Sequence, residues 1–390
     1  MKIMAVNAGS SSLKFQLLEM PSEAVIASGL VERIGYGNAN FIIKYNGEKI
    51  EETKEIINHK VAVHLLIDGL LKHNIISSLD EIKGVGHRVV QGGEIFKDSV
   101  VITDEVIEQI RSLNDLAPLH NPANITGIEA FRKDLPSIPQ VAVFDTTFHQ
   151  TMKEDAYLYA TPYEWYQKYG VRKYGFHGTS HQYVSERAAV IMNNPKAKLV
   201  ICHLGNGASL CAVDSGKSVD TSMGLTPLEG IPMGTRSGNI DPSVLMLIAD
   251  KENKSFAEAL DDLNKRSGSL GVSGISNDSR DIIKGMLEGN HRAELAYQIQ
   301  IKRIADYIGS YYVYMGGIDA IIFTAGIGEN EGRVRKSILD AVKVLGTEID
   351  VEANKLRGEH LITTKDSKIK AYIIPTNEEV MIAREVMRLK

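Results

Sequence analysis

The chain of 390 residues contains only two cysteines, Cys202 and Cys211, and their spacing matches no common zinc motif. We predict that both are reduced, buried, small apolar residues on neighbouring strands, which fits a protein of the cytoplasm. Long apolar runs are also missing. No stretch approaches the ~18 residues of a membrane-spanning helix, and the apolar segment at residues 3–6 is too short for the core of a secretion signal. The sequence therefore predicts neither a disulfide framework nor a membrane span.

Basic runs are absent as well, and the net charge is −5, so nothing in the composition favours binding to nucleic acid or to an anionic membrane. The remaining composition is ordinary, with 43% hydrophobic and 24% charged residues, which indicates a folded chain rather than a disordered one. The length exceeds that of one typical core and predicts two domains. Because no low-complexity linker separates the halves, we expect a broad contact between the domains, with a cleft.

Apolar periodicity predicts strands and helices in alternation. We predict strands at residues 4–7, 13–19, 41–45, 49–52, 86–90, 140–145, 320–324 and 371–375, and a strand–loop–strand–turn–strand segment at 198–222. We predict helices at 61–73, 121–133, 178–192, 241–251, 255–265, 292–315 and 377–390. Residues 155–169 are aromatic-rich and are expected to be irregular. The segment 198–222 repeats the pattern of the N-terminal strands, which indicates a diverged internal duplication.

Short loops of glycine, serine and asparagine follow apolar runs at residues 7–14, 203–209 and 326–330. Such loops bind phosphates, because glycine lets the backbone approach closely and the amides point at the anion. Three of them predict one nucleotide held from several sides. No Gly-Lys-Ser/Thr sequence occurs, so a Walker loop is excluded. In the first loop, Ser10, Ser12 and Lys14 can bind phosphate oxygens and Asn7 can hold a metal-bound water, although a serine-rich hairpin turn is the simpler alternative.

These motifs resemble those of the acetate kinase family. Residues 7–14 are similar to its first signature and residues 203–209 to its second. Further matching segments run in order along essentially the whole chain: 87–90, 144–145, 174–181, 233–238, 274–280, 326–330 and 376–379. The resemblance implies an α/β protein with the two-domain actin-like ATPase (ribonuclease H-like) fold of sugar kinases and heat-shock ATPases, with duplicated βββαβαβα cores and a central nucleotide cleft. The implied domains are residues 1–147, joined by the C-terminal helix (about 379–390), and a nucleotide-binding domain at 148–378.

The implied reaction is the reversible, direct in-line transfer of the γ-phosphoryl of ATP to acetate, which gives acetyl phosphate and ADP. The family resemblance also implies Mg²⁺ (Mn²⁺ can substitute) and a homodimer, with no nucleic acid or membrane partner. Propionate or butyrate as the acceptor is the close alternative. A non-enzymatic ATP-dependent switch of the actin or heat-shock type would share the phosphate loops, but it would not require the arginines and the apolar pocket described next.

Phosphoryl transfer needs cations and hydrogen-bond donors around the moving group. Arg88 and Arg236, in strand-end and glycine-rich contexts, can bind a carboxylate and the phosphoryl oxygens. His177 can donate a hydrogen bond to the transferring group, with a purely structural histidine as the alternative. His181 follows four residues later, but the pair lacks the glutamate and the third ligand of a zinc site.

Asp145 ends an apolar strand, where an active-site carboxylate belongs in an open α/β sheet. The resemblance suggests a catalytic acid/base. A carboxylic acid substrate with a pKa of roughly 4 to 5 is already ionised at pH 7, so we favour Asp145 as the group that orients a magnesium-bound water or an arginine. Asn7 and Glu378 resemble the family's magnesium-associated residues. Glu379 is the alternative to Glu378, and either carboxylate could simply serve the helix dipole.

The resemblance implies further binding residues. Those for the nucleotide are His203, Leu204, Gly205, Asn206, Gly207, Asp278, Ser279, Arg280, Gly326, Ile327, Gly328, Glu329 and Asn330. Ser279 stands where the family usually has an aromatic residue, so we expect relaxed nucleotide selectivity. Val90, Leu119, Phe176 and Pro232 match the family's pocket for the substrate methyl group, although core packing is an alternative for each. We expect propionate to be a slower substrate than acetate. His120 either lines the cleft or caps the helix that follows.

Overall fold

The computed structural model describes residues 1–118 and 120–390. They form two compact units, one of residues 1–150 with 377–390 and the other of residues 151–376. Each unit contains one β-sheet. Leu119, a predicted pocket residue, lies outside the described residues.

The first sheet has eight strands in the order β5-β4-β3-β2-β1-β6-β8-β7. Its strands are β1 (Lys2–Ala8), β2 (Ser12–Glu19), β3 (Ala24–Glu32), β4 (Ala39–Tyr45), β5 (Glu48–Lys54), β6 (Ile82–Val89), β7 (Val100–Val101) and β8 (Gln140–Phe144). The second sheet has six strands in the order β11-β10-β9-β12-β14-β13. Its strands are β9 (Lys198–Leu204), β10 (Ala208–Asp214), β11 (Lys217–Thr221), β12 (Ala320–Thr324), β13 (His360–Leu361) and β14 (Lys370–Ile373).

The two sheets share one pattern of strand pairing. In each, three sequential strands pair antiparallel, β1–β3 in the first sheet and β9–β11 in the second. In each, the first of these strands also pairs in parallel with a fourth strand, β6 or β12. That strand pairs in parallel with a fifth, β8 or β14. The repeated pattern supports the predicted duplication, and the two-domain actin-like α/β fold is confirmed.

Helices connect the strands and cover the sheets. They are α1 (His59–Lys72), α2 (Asp104–Ser112), α3 (Asn121–Asp134), α4 (Glu154–Tyr157), α5 (Tyr163–Tyr169), α6 (Gly178–Ile191), α7 (Ser243–Glu252), α8 (Phe256–Lys265), α9 (Gly268–Ser273), α10 (Ser279–Leu287), α11 (His291–Tyr314), α12 (Ala325–Asn330), α13 (Gly332–Ala341) and α14 (Glu378–Leu389). Within the described residues, none of the helices is long and apolar enough to cross a membrane.

The aromatic-rich segment 155–169 differs from its prediction. It was expected to be irregular, but it contains the short helices α4 and α5. Helices of one or two turns are too short to show a 3.6-residue apolar period, which explains why the pattern did not reveal them. Gly170 ends α5 in a left-handed conformation, with φ of 64°.

The two cysteines lie on neighbouring strands, Cys202 on β9 and Cys211 on β10, and both are buried and outside any disulfide. Burial raises the pKa of both thiols, that of Cys211 to about 12. A thiol that stays protonated is a poor nucleophile. The prediction that these residues are small apolar components of the core is confirmed.

Two glycines on β6 let α14 approach the first sheet closely. A Cβ atom at Gly84 would lie 2.4 Å from Cγ1 of Val386, and one at Gly86 would lie 2.3 Å from Cγ2 of Ile382. Both helix residues are buried. The glycines therefore set the distance between α14 and β6, the strand that carries Arg88.

Replacement of Gly86 tests this packing. We expect Gly86→Ala to lower the free energy of unfolding by about 1–3 kcal/mol, because the added methyl group overlaps Ile382 and forces a shift of α14. Chemical denaturation monitored by circular dichroism measures the change. Gly309→Ala on α11 is the matched control, because nothing lies within 4 Å of its added Cβ. There we expect a gain of about 1 kcal/mol from helix propensity. Equal effects at the two positions would contradict close packing at β6.

Candidate active site

The site in the first unit is built on an ion pair between Arg88 and Asp145. Arg88 is near the end of β6 and Asp145 follows β8, so the parallel pairing of these strands places both at the same edge of the sheet. Arg88 Nε donates to Asp145 Oδ1 at 2.8 Å, and Nη2 donates to Oδ2 at 2.6 Å. Asp145 is only 2% exposed. One guanidinium thus occupies both oxygens of a buried carboxylate in a bidentate, charge-assisted contact.

The charge of Arg88 is well stabilised. Burial alone would lower the pKa of its guanidinium, but the Asp145 carboxylate, with smaller contributions from Glu378 and Glu379, raises it. A guanidinium carries five N–H donors. The pair with Asp145 uses two of them, so N–H groups remain for an anionic ligand.

The start of α14 adds two carboxylates with different partners. Glu379 pairs with Lys14, whose Nζ lies 3.1 Å from its Oε1. For the Glu378 carboxylate, no hydrogen bond or ion pair is recorded within residues 1–118 and 120–390. Burial raises the pKa of Glu378, Asp145 and Glu379 raise it further, and Arg88 and Lys14 oppose the rise. A cation bound near Glu378 would relieve this cost.

The loop after β1 places the predicted phosphate ligands beside this cluster. Asn7 pairs with Lys14 in the register of β1 and β2, so the two side chains share one face of the sheet. The loop is closed by the Gly9 amide, which donates to the Ser12 carbonyl at 2.9 Å. Ser10 is exposed in this loop, and Ser12 begins β2.

Asn124 of α3 links this loop to the end of β6, and sequence reasoning missed it. Its Nδ2 donates to the Ala8 carbonyl at 2.7 Å, and its Oδ1 accepts from the Val90 amide at 3.1 Å. The signal that could have found it is a buried asparagine in a helix interior, a place that disfavours this residue. On the same helix, His120 occupies the N-cap position without a side-chain capping bond in the described structure. The position of the predicted cap is thus the one observed, without a capping bond from its side chain.

The second unit presents His177 and Arg236 together. A Cβ atom on Gly207 would lie 3.7 Å from both Arg236 Nη1 and His177 Nε2, so both groups border the space above Gly207. Arg236 Nη1 donates to the Pro227 carbonyl at 3.4 Å, and no ion pair to Arg236 occurs within the part of the chain that the structure describes. Burial lowers its pKa, but a guanidinium remains charged at neutral pH. This corner of the unit is therefore suited to an anion.

His177 is held by strained backbone and by ring contacts. Its φ of 57° lies in the left-handed region, directly before α6. Its ring stacks on His203 with centroids 4.2 Å apart, and its Nδ1 lies 2.9 Å from Ser209 Oγ. His203 Nδ1 in turn lies 2.8 Å from Ser180 Oγ. His203 thus packs directly against the ring of His177.

A cavity of about 520 Å³ lies in the second unit beside Gly205 and Asn206. Its lining includes the predicted nucleotide residues Gly205, Asn206, Asp278, Ser279, Arg280, Gly326, Ile327 and Asn330, and also Asn277, Glu331 and Arg357. The exposed Arg280 pairs with Asp278, Nε to Oδ1 at 3.0 Å, and lowers the pKa of that carboxyl to about 2. The volume and the mixed polar lining fit a ligand of nucleotide size.

A model of the acetokinase family matches residues 2–384.

The chain belongs to the acetokinase family.

Named relatives agree with the family match. The acetate kinase of Acholeplasma laidlawii (strain PG-8A) is 62% identical over 391 residues, which cover 100% of both chains. The acetate kinase of Chlorante-Aster yellows phytoplasma is also 62% identical, over 100% of this chain and 95% of the relative. The Porphyromonas gingivalis acetate kinase structure is 45% identical with a TM-score of 0.95, over 100% of this chain and 99% of the other. A propionate kinase structure from Francisella tularensis subsp. tularensis is 44% identical with a TM-score of 0.95 over 100% of both chains. The prediction of the family is confirmed, and this acetokinase is a phosphotransferase with a carboxyl group as acceptor.

Several predicted nucleotide residues of this acetokinase do not line the cavity. Leu204 is buried in the core and Gly328 lies against the backbone of Cys202 and Phe323. Glu329 Oε1 accepts from the amides of Ala325 at 2.9 Å and Thr376 at 3.2 Å, which joins the start of α12 to the segment that precedes α14. Their contacts are with the supporting structure. Arg357, which does line the cavity, was missed because its segment carries no motif or periodicity.

The predicted acyl-pocket residues are placed unit by unit. Val90 follows β6 in the first unit and is 7% exposed. Phe176 is buried in the second unit beside His177. Pro232 is half-buried in the second unit, and its carbonyl accepts from Gln300 Nε2 at 3.4 Å.

Proposed function

We propose that this acetokinase transfers the γ-phosphoryl of ATP reversibly to acetate, with Arg88, Asp145, Arg236 and His177 as its central residues. The proposal is supported mainly by two cationic groups, Arg88 near the end of a strand and Arg236 in a loop. Arg88 has N–H groups left over from its pair with Asp145. Arg236 and His177 border the space above Gly207, next in sequence to two residues that line the nucleotide-sized cavity.

The two arginines divide the anionic groups of the reaction between them. Arg88 binds the acetate carboxylate with its remaining N–H groups, because the fork of a guanidinium matches a carboxylate. Arg236 and His177 donate to the oxygens of the transferring phosphoryl group, whose charge is spread over three oxygens in the transition state. Donors that are already in place stabilise that charge without reorganisation.

Asp145 acts by orienting Arg88 rather than by moving a proton. Both carboxylate oxygens accept hydrogen bonds from Arg88, at 2.8 and 2.6 Å. Acetate, with a pKa of roughly 4 to 5, is ionised at pH 7 and needs no base to become a nucleophile. Of the two roles that the sequence left open, we therefore propose the second.

The residues at the start of α14 fit a magnesium ion that is bound largely through water. Within residues 1–118 and 120–390, no group of three His, Cys, Asp or Glu side chains could hold a metal ion directly. Mg²⁺ keeps several waters and binds substrate phosphates, so one carboxylate and one amide suffice. We propose Glu378 and Asn7 as the residues that hold these waters, since Glu379 is engaged by Lys14. The ion supplies charge neutralisation on the ATP phosphates, and Mn²⁺ can substitute.

We propose that Val90, Leu119, Phe176 and Pro232 contact the methyl group of acetate. A solved relative with a TM-score of 0.95 is titled a propionate kinase, so the fold alone does not set the acyl preference and pocket side chains must. For the nucleotide, we propose that residues of the cavity lining bind ATP and ADP. Ser279 gives the base no aromatic partner, so ATP should be only weakly preferred over other nucleoside triphosphates.

The domain limits of residues 1–147 with about 379–390, and of 148–378, remain our proposal for the functional division of the chain. The homodimer is likewise proposed from the family resemblance. A cytoplasmic location is proposed because the substrate ATP is cytoplasmic, and buried cysteines outside any disulfide are compatible with a reducing compartment.

Acyl phosphate formation tests the proposed function directly. With purified protein, Mg-ATP and hydroxylamine as the trap, we expect acetate to give acetohydroxamate. We expect kcat/KM to fall from acetate to propionate to butyrate, with about 10-fold for the first methylene, because one extra methylene in a small pocket costs ~1–3 kcal/mol. Slow ATP hydrolysis without hydroxamate from any of the three acids would instead favour the ATP-dependent switch.

Removal of each arginine tests the assignment of the anionic groups. We expect Arg88→Ala and Arg236→Ala to lower kcat by ~10²-fold or more, as the loss of a transition-state donor does. Steady-state kinetics with acetate and ATP measure the effect, and circular dichroism checks the fold. Arg187→Ala is the control, because Arg187 makes a similar bidentate pair, with Glu359, on the exposed surface. Near-normal turnover of both folded active-site variants would contradict the assignment.

Neighbouring glutamates provide a matched test of the metal proposal. We expect Glu378→Gln to weaken Mn²⁺ binding in the presence of ADP by ~10-fold or more, because it removes the charge that orients the metal's water ligands. Electron paramagnetic resonance titration measures free Mn²⁺ independently of activity. Glu379→Gln should have a much smaller effect, since its carboxylate pairs with Lys14. The opposite ranking would assign the metal to Glu379.

A further inference from the structure

The proposed function gives His177 the role of a hydrogen-bond donor, but a neutral imidazole donates from only one of its two nitrogens. We infer that Ser209 and His181 hold His177 in the tautomer that carries its proton on Nε2. Ser209 bonds to the His177 ring and His181 bonds to Ser209, so both would be positioning residues that act through His177. This inference rests on the proposed role of His177, although its decisive measurement does not require activity.

The side chains of His177 and His181 both contact the hydroxyl group of Ser209. His177 immediately precedes α6, and His181 lies one helical turn further on, so the two rings project from the same side of the helix. Ser209, on β10, places its Oγ 2.9 Å from His177 Nδ1 and 2.7 Å from His181 Nε2. Ser209 and His181 are both fully buried. The serine hydroxyl thus bridges the two histidines inside the unit.

The proton count of the bridge allows few arrangements. A serine hydroxyl has one proton to donate and can accept through its lone pairs. In the first arrangement, His181 Nε2–H donates to Ser209, Ser209 donates to His177 Nδ1, and the His177 proton is on Nε2. In the second, His177 Nδ1–H donates to Ser209, Ser209 donates to His181 Nε2, and His177 Nε2 presents a lone pair. In the third, both histidines donate to the lone pairs of Ser209, its hydroxyl proton turns to another acceptor, and His177 Nε2 again presents a lone pair.

The surroundings of His177 Nε2 favour the first arrangement. This atom borders the space above Gly207 together with Arg236 Nη1. Phosphoryl oxygens are acceptors, so a lone pair on Nε2 would repel them, whereas Nε2–H would donate. A doubly protonated ring would also donate, but it would place a second cation beside Arg236, and repulsion between the two like charges would raise the free energy.

Ring rotation would undo the bridge, and the structure opposes it. The His177 ring stacks on His203 with centroids 4.2 Å apart and an interplanar angle of 19°. His203 is itself fixed by Ser180, whose Oγ lies 2.8 Å from its Nδ1. With the ring plane held and Nδ1 bonded to Ser209, Nε2 keeps one direction. The bridge therefore selects both the orientation and the protonated nitrogen of His177.

Nitrogen NMR of the full-length protein labelled at histidine tests the inference. The His177 signals are assigned by their loss in His177→Gln. At neutral pH we expect the wild-type His177 to show a protonated Nε2 and an unprotonated, hydrogen-bonded Nδ1. In Ser209→Ala, which removes a single buried oxygen, we expect the signals to move toward a mixture of both tautomers. We also expect kcat to fall about 10-fold, with KM for acetate and ATP within about threefold. A serine protease whose catalytic histidine is wholly in the wrong tautomer loses ~10⁴.

Ser185→Ala is the matched control. Ser185 is another buried serine, on α6, and its Oγ donates to the Gln182 carbonyl at 2.9 Å. We expect it to leave the His177 signals and kcat unchanged. Wild-type His177 with its proton on Nδ1, or charged at neutral pH, would overturn the inference, as would Ser209→Ala with both the tautomer and kcat retained. Failure of the wild type to form any acyl phosphate would overturn the proposed function and leave the measured tautomer standing.

Discussion

The bidentate ion pair between Arg88 and Asp145 joins the ends of two parallel strands, and the other groups of the first unit are arranged around it. Its energy comes from a buried carboxylate whose two oxygens are both satisfied by one guanidinium. Loss of either partner would leave an unpaired charge inside the protein, which costs more than the pair itself contributes. Because Asp145 is fully engaged, its charge fixes the direction of the remaining Arg88 donors and makes the neighbourhood of Glu378 unfavourable for a further negative charge.

The second unit also presents a cationic group, but the surroundings of that group differ from those of Arg88. Its cationic group, Arg236, has a backbone carbonyl and a thioether within contact in place of a carboxylate. The positive charge of this partly buried guanidinium is therefore uncompensated until an anion binds, whereas the charge of Arg88 is already balanced by Asp145. The two arginines therefore differ in how they can bind an anion. Arg88 has donors whose direction is fixed by Asp145, and Arg236 has a positive charge that is not yet neutralised. This difference suits a reaction in which one partner must be held in place and the other must be stabilised as its charge spreads.

Local sequence patterns predicted much of the fold, because hairpins, amphipathic helices and glycine loops have a recognisable periodicity or composition. The repeated strand–loop–strand segments also indicated the duplication, whereas the duplicated βββαβαβα order was implied only by the family resemblance. The short helices α4 and α5 left no such mark. Within the site, Asn124, Ser209 and Arg357 were not foreseen, since their roles come from partners far away in sequence. Glu378 and Glu379 are indistinguishable as neighbours in a sequence, and only the pairing of Glu379 with Lys14 separates them.

The helix α14 belongs to the first unit, although in chain order it follows the whole of the second. On the ribosome, the strands that end in Arg88 and Asp145 are made early, but the helix that covers Gly84 and Gly86 emerges only after residues 151–376 have been synthesised. Until α14 is made, the face of β6 that this helix covers is therefore either exposed to solvent or bound by a chaperone. The second unit has all of its own strands by that time and can fold first. The first unit is thus the first to be started and the last to be completed.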